Sequence, residues 1–303
     1  MGKIVVTSGR KYIDIDAYAG CIAYSKLLNN NGVNSIPITT ANYNESISKI
    51  ITDLGLKLEN YIPSIDDEFI ILDVSNPDMF DESVNLENVV EIIDHHTGYE
   101  NYWKERNIKA DIEFIGSVCT IIFEKFEESN KVELLDENIC KLLIAGILDN
   151  TLNLKASITT ERDIMAYKKL LEIGKINNNW SEEYFISCQE SIEKDLEQAI
   201  INDMKIEYVN DFLPKVFGQL LVFDKTSIIE NIELIKDIFN RYDKDWMLNL
   251  ISLKDGKSYI YASTENVINN LEILFSNKFN RNLLILDKFM LRKEIMKMAR
   301  ERK

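Results

Sequence analysis

Histidine is nearly absent from this chain: its 303 residues include two, His95 and His96, side by side in "VVEIIDHHTG". Cysteine is scarce as well. The four cysteines, Cys21, Cys119, Cys140 and Cys188, stand far apart and form no C-x-x-C pair. That spacing excludes a local zinc cluster or a disulfide framework and predicts buried, reduced thiols. Long apolar runs are missing, because segments such as "LLIAGIL" fall far short of a bilayer span. The opening "GKIVVTSG" reads as a strand and not as a basic-then-apolar signal peptide, so a soluble cytoplasmic protein without membrane contact is the expectation. Positive charge is short too. The 35 Lys and Arg against 50 Asp and Glu leave a net charge of −15, a field that repels long nucleic acids and suits divalent cations.

The chain is 46% hydrophobic, enough for real cores. Its length exceeds the roughly 250 to 300 residues at which one core stops growing, so two domains are expected. In the first half, "KIVVTS" (3–8), "NSIPIT" (34–39), "EFIILDVS" (68–75), "VVEIID" (89–94) and "ADIEFI" (110–115) read as Ile- and Val-rich strands. "IDAYAGCIAYSKLLNNNG" and "NESISKIITDLG", between them, have apolar residues at three- and four-residue spacing and end at glycine, as helices do. The alternation implies right-handed crossovers and a parallel sheet covered on both faces. From Ser117 to about Met204 the pattern is nearly all helical and closes with one long polar helix from Trp180; a linker is expected near 180–200. A second α/β unit of strands and helices follows.

Ligands of an open parallel sheet lie beyond the carboxyl ends of its strands. Asp14 and Asp16 follow the first strand, Asp73 ends the third, Asp94-His95-His96 ends the fourth, and Asp149 closes the helix "KLLIAGILDN". Singly, each has a plain alternative as a helix cap, turn or surface residue. Together on one rim they would repel unless a cation lay among them, and carboxylates with imidazole suit manganese, magnesium or cobalt. Adjacent histidines on a strand end point to opposite sides. One is therefore expected to ligate an ion, leaving the other for substrate or proton work.

In order and approximate spacing, Asp14-x-Asp16, Asp73, Asp94-His95-His96 and Asp149 resemble the four motifs of the DHH phosphoesterase family. "GILDNTLNLKASITTERD" is similar to the fourth motif of the family II, manganese-dependent inorganic pyrophosphatases. "INDMKIEY" puts Lys205 where those enzymes carry a substrate-binding lysine, and "GQLLVFD" is similar to their following Gly-Gln strand. "FMLRKEI" resembles their Ser-Arg-Lys motif, with Arg292 and Lys293 in the phosphate-gripping positions and Leu291 in place of the serine. Read locally, Lys205 also fits a solvated strand start, and Arg292 and Lys293 a charged terminal helix. The first family motif is His-x-x-x-Asp-x-Asp, and here Arg10 stands at the histidine position. Arginine has no lone pair to donate. One metal site is then expected to be weaker, rebuilt with water, or assisted by Arg10 acting on substrate; related exopolyphosphatases also tolerate a non-histidine there.

The resemblance implies an α/β fold: a parallel-sheet, metal-binding catalytic domain over 1–190 and a smaller α/β substrate-binding domain over 191–303, with the active site in the cleft between them. It implies two ions, Mn2+ first with Mg2+ or Co2+ as options. Asp73 would bridge them, with Asp14 on the first ion and Asp16, His95 and Asp149 on the second. His96, Lys205, Arg292 and Lys293 would act on substrate, and Asp94 would orient a histidine. The expected activity is hydrolysis of pyrophosphate or short polyphosphate, a small phosphorylated substrate, by a metal-activated water. Two rivals stand beside it. A phosphodiesterase of the RecJ or oligoribonuclease type acting on short nucleotides would share the first domain, but the chain has no third histidine for that branch's glycine-rich motif. The other is a non-catalytic phosphate or nucleotide sensor with a degenerate metal site. The pyrophosphatase branch is often dimeric through its first domain, which makes a homodimer an option.

Overall fold

The computed structural model describes residues 2–302, in two compact units, Met1–Tyr184 and Phe185–Lys303. The first contains β1 (Ile4–Thr7), β2 (Tyr12–Ile13), α1 (Ile15–Asn30), β3 (Ser35–Pro37), β4 (Asn42–Tyr43), α2 (Lys49–Thr52) and β5 (Glu68–Leu72). It continues through β6 (Val89–Asp94), α3 (Glu100–Glu105), β7 (Lys109–Ile112), α4 (Val118–Glu128), α5 (Glu137–Asn150) and α6 (Glu161–Gly174).

Five of these strands form one parallel sheet in the order β3-β1-β5-β6-β7. The chain steps outward from β1 to β3 and then returns to β5 on the other side of β1. Strand order therefore reverses between β1 and β5, which opens the crevice where such folds bind ligands. One face of the sheet buries Val5, Phe69, Ile71, Val89 and Ile92 against Ile38, Phe80 and Trp103. Helix α1 is buried along most of its length, between the sheet and α4 and α5, as expected of a helix that is apolar nearly all round. A Cβ on Gly20 would meet the Leu72 side chain at 3.3 Å, so glycine lets α1 lie close to β5. The expected helix over "NESISKIITDLG" shrinks to the single turn α2, which starts at Ser48 without a side-chain cap.

The long polar helix is two helices, α7 (Trp180–Lys194) and α8 (Leu196–Asp203). Asp195 breaks it by turning its carboxylate onto the Gln198 amide at 3.0 Å and so capping α8. The expected linker is thus helical. The second unit continues with β8 (Lys205–Ile206), β9 (Val216–Val222), α9 (Thr226–Glu230), α10 (Ile232–Asn240), β10 (Trp246–Ser252), β11 (Lys257–Ala262), α11 (Glu265–Phe275), β12 (Leu283–Leu286) and α12 (Arg292–Glu301). Its mixed sheet has the order β12-β11-β10-β9-β8, with the β9/β10 pair alone parallel. Side chains alternate across it: Val216, Leu220 and Val222 pack with α8 and α10, and Phe217 with α11 and α12. All four cysteines are buried and free. No described helix is long and apolar enough to cross a membrane.

Candidate metal centre

Asp73 is the first residue beyond β5, and its backbone takes the left-handed conformation, φ 61°. Aspartate tolerates that region better than most residues. The Asp73 amide donates to the Ile93 carbonyl at 2.9 Å, which anchors the turn to β6. Its carboxylate is 9% exposed, and Oδ1 accepts no hydrogen bond. Buried carboxylate oxygens without a partner are costly.

His95 faces that oxygen. Its side chain is 3% exposed, and Nε2 lies 3.2 Å from Asp73 Oδ1. Nδ1 lies 3.1 Å from the Ile115 carbonyl, which can only accept, so Nδ1 carries a proton and in the neutral ring Nε2 is the nitrogen with the lone pair. Metal-binding histidines are oriented in this way. Two lone pairs, one on nitrogen and one on a carboxylate oxygen, therefore converge on one point, and a divalent cation fits the demand.

The neighbouring histidine does not point away. β6 ends at Asp94, so strand alternation no longer governs the pair, and the two rings meet edge to face with centroids 4.3 Å apart. His96 Nδ1 lies 3.8 Å from Asp73 Oδ1 and 2.9 Å from Asp94 Oδ1. Asp94 Oδ1 also accepts the amides of His95 and His96 at 2.7 and 3.0 Å, so this buried carboxylate sets the path of the whole turn. Burial works to raise the Asp94 pKa, but its hydrogen bonds with His96 hold it below the usual range. Burial lowers His96 in turn, and its bond to Asp94 and the charge of Asp73 more than restore it. Among the described residues, the ligand atoms of Asp73, His95 and His96 lie within 4.8 Å of one another.

The other expected carboxylates, Asp14, Asp16 and Asp149, stand outside this group of three and are engaged unequally. Asp14 caps α1, accepting the Ala17 amide at 3.1 Å. Burial, then the charge of Asp16, raises its pKa, against the Ala17 amide and both histidines. Asp149, near the end of α5, accepts a hydrogen bond from the Tyr184 hydroxyl at 3.0 Å. Burial and the charge of Asp14 push it up to about 7. Asp73 is driven well above the carboxylate range by burial and then by Asp14 and Asp16. Carboxylates raised by burial and then by one another's charge are the electrostatic complement of a missing positive charge. Asp16, expected beside the ion, is 1% exposed and bonded elsewhere. Its Oδ1 accepts the Ser117 hydroxyl at 2.6 Å and the Cys119 amide at 2.9 Å; its Oδ2 accepts the Val118 amide at 2.9 Å and the Asn150 side-chain amide.

Residues 3–147 match the model of the DHH family, N-terminal domain. This stretch is a DHH-family domain. Similar proteins include a probable manganese-dependent inorganic pyrophosphatase of Clostridium acetobutylicum, 26% identical over 88% of this chain and 87% of that protein. Another so named, from Lactobacillus delbrueckii subsp. bulgaricus, is 26% identical over 56% of this chain and 54% of that protein. Among solved structures, a putative family II inorganic pyrophosphatase of Methanococcus jannaschii superposes with a TM-score of 0.71 at 22% identity, over 98% of this chain and 99% of that one. An exopolyphosphatase-related protein of Bacteroides fragilis gives 0.54 at 13% identity, covering 99% and 92%. At those identities the likeness is one of fold.

Arg10 flanks the DHH domain's rim and is exposed; its amide donates to the Met79 carbonyl at 2.9 Å. It lines an open depression of about 570 Å³ with Pro77, Asp78, Phe80 and Asp81. In the second unit Lys205 and Lys293 are exposed. Arg292 is 15% exposed and forks onto Asp203, with Nη1 to Oδ2 at 2.8 Å and Nη2 to Oδ1 at 3.0 Å. Its amide donates to Gln219 Oε1 at 2.7 Å. Several supports of the site went unread in the sequence. Ser117 and Asn150 had signals, since Ser117 precedes an apolar helix as a cap should and Asn150 adjoins Asp149. Tyr184 and the Ile115 carbonyl had none.

Proposed function

We propose that the chain is a metal-dependent phosphoanhydride hydrolase acting on pyrophosphate or short polyphosphate, with manganese as the preferred ion. The observation that carries the reading is the convergence of His95 Nε2 and the unpartnered Asp73 Oδ1, 3.2 Å apart, past the carboxyl ends of the neighbouring strands β5 and β6 of a DHH domain. The names of the curated relatives, manganese-dependent inorganic pyrophosphatases, support the substrate class.

In this reading Asp73 and His95 hold the cation, and Asp14 and Asp149 complete its surroundings. When bound, such an ion lowers the pKa of a coordinated water towards neutrality and neutralises phosphate oxygens. The chain's own groups do the rest. The Ile115 carbonyl keeps the His95 proton on Nδ1. Asp94 holds His96 by Nδ1, so that Nε2 of this 58% exposed side chain is presented to substrate as a hydrogen-bond or proton-transfer group. Tyr184 fixes the rotamer of Asp149. We assign Lys205 and Lys293 to binding phosphate oxygens. Arg292 contributes through the turn that it orders with Asp203 and Gln219, and through any donor it retains for phosphate.

The test is phosphate release with Mn2+ from pyrophosphate, tripolyphosphate, long-chain polyphosphate and a diadenylate. Release from pyrophosphate or tripolyphosphate is expected. Cleavage of the diadenylate alone would make the chain a phosphodiesterase, and binding without release from any of the four would make it a sensor.

A further inference from the structure

Two acidic residues of the site differ sharply in their partners: Asp73 has a buried oxygen that no donor reaches, whereas Asp16 receives donors on both oxygens. We propose that this chain centres a single divalent cation on Asp73 and His95, and that Asp16 is a structural carboxylate joining α1 to the start of α4; the inference rests on the metal-dependent reading above.

A carboxylate offers about four lone-pair directions, and Asp16 receives four donors, two on each oxygen. Two are the first amides of α4, which have no partner inside their own helix. Ligation by Asp16 would release some of these donors where Asp16 is 1% exposed and Ser117 fully buried. The packing around Asp16 is also tight. A Cβ on Gly146 would lie 2.9 Å from Asp16 Oδ1 and 3.1 Å from its Cα, so α5 already packs against the residue.

Asp73 is the reverse case: a buried oxygen with no donor, facing an imidazole lone pair. Around a second ion the available groups would be poorer. Arg10 cannot ligate at all. Asp14 has given one oxygen to Ala17, and Asp149 one to Tyr184. Each retains an oxygen for the outer surroundings of one cation.

The experiment is Mn2+ titration of the metal-free full chain by calorimetry, with elemental analysis after dialysis and electron paramagnetic resonance of the loaded protein. Wild type should hold one Mn2+ per chain with an isolated-ion spectrum. Asp73→Asn and His95→Gln should each lose at least a hundredfold in affinity. Asp16→Asn should keep one Mn2+ with affinity within threefold while its melting temperature falls; Ser117→Ala, which removes one donor to Asp16, serves the same purpose if that variant does not fold. Two ions per chain with an exchange-coupled spectrum, or loss of Mn2+ from folded Asp16→Asn, would overturn the proposal. Phosphate release measured in parallel separates the two readings. One ion without release leaves this inference standing and removes the hydrolase, whereas two ions with release does the opposite. No Mn2+ binding at all removes both.

Discussion

His95 Nε2 and Asp73 Oδ1 face each other at 3.2 Å inside the DHH domain, and the Ile115 carbonyl ensures that the proton lies on the far side of the ring. With neither of the facing atoms protonated, the pair is destabilising until something positive joins it, and that yields the first prediction. Asp73→Asn removes a buried charge and keeps a residue type that tolerates φ 61°. In the presence of a chelator the variant should be about 1 kcal/mol more stable, a rise of roughly 2 to 4 °C in melting temperature. The stabilisation that Mn2+ gives wild type should vanish. A lower melting temperature without metal would mean that Asp73 has a stabilising partner after all.

The junction of α1, α4 and α5 leaves no room at Gly146. An added Cβ would lie 2.5 Å from Cys119 Sγ and 2.9 Å from Asp16 Oδ1. Gly146→Ala should cost about 1 to 3 kcal/mol by overpacking, and a second change, Cys119→Ala, should recover part of it. Thermal melts of the single and double variants check this, and additive losses would refute the shared clash.

Arg292 and Asp203 form a forked pair that is 15% and 28% exposed. After discounting for solvent, Arg292→Ala should lower stability by about 1 to 3 kcal/mol. Arg292→Lys should recover less than half, because an ammonium cannot match both carboxylate oxygens. Urea denaturation midpoints measure both. Equal stability of the lysine variant and wild type would show that the fork is immaterial.

Asp67 is buried and accepts the Lys3 amide at 2.9 Å, the Tyr61 hydroxyl at 2.9 Å and the Ser64 amide at 3.0 Å. Burial acts to raise its pKa, but these donors outweigh it and hold the group below its ordinary value. A pKa lowered by folding stabilises above the unfolded value, about 3.9, and the contribution is lost as pH falls through the folded value. Asp67→Asn should therefore be less stable than wild type near neutrality, and the gap should close below roughly pH 4. A gap that is constant across an acid titration of the melting temperature would contradict this.

Much of the DHH domain is legible in the sequence. The runs at 3–8, 34–39, 68–75 and 89–94 contain strands of the parallel sheet and 110–115 overlaps one, because apolar periodicity and glycine stops are properties of neighbouring residues. The same locality places Asp14, Asp73 and His95 just past strand ends. It fails just past a strand end: β6 stops at Asp94 as its sequence reads, so strand alternation does not extend to the two histidines, and His96 turns towards Asp73 instead of away from it.

By itself, then, the sequence determined the alternation of strands and helices, the absence of a cysteine framework and the acidic, histidine-poor character of the strand-end residues. Tertiary structure alone decided which carboxylates have partners. Ser117 and Asn150 reach Asp16 from 101 and 134 residues away, and Tyr184 reaches Asp149 from 35. Hydrogen-bond capacity is filled by whatever packing brings within 3 Å, and packing joins residues that no local pattern connects.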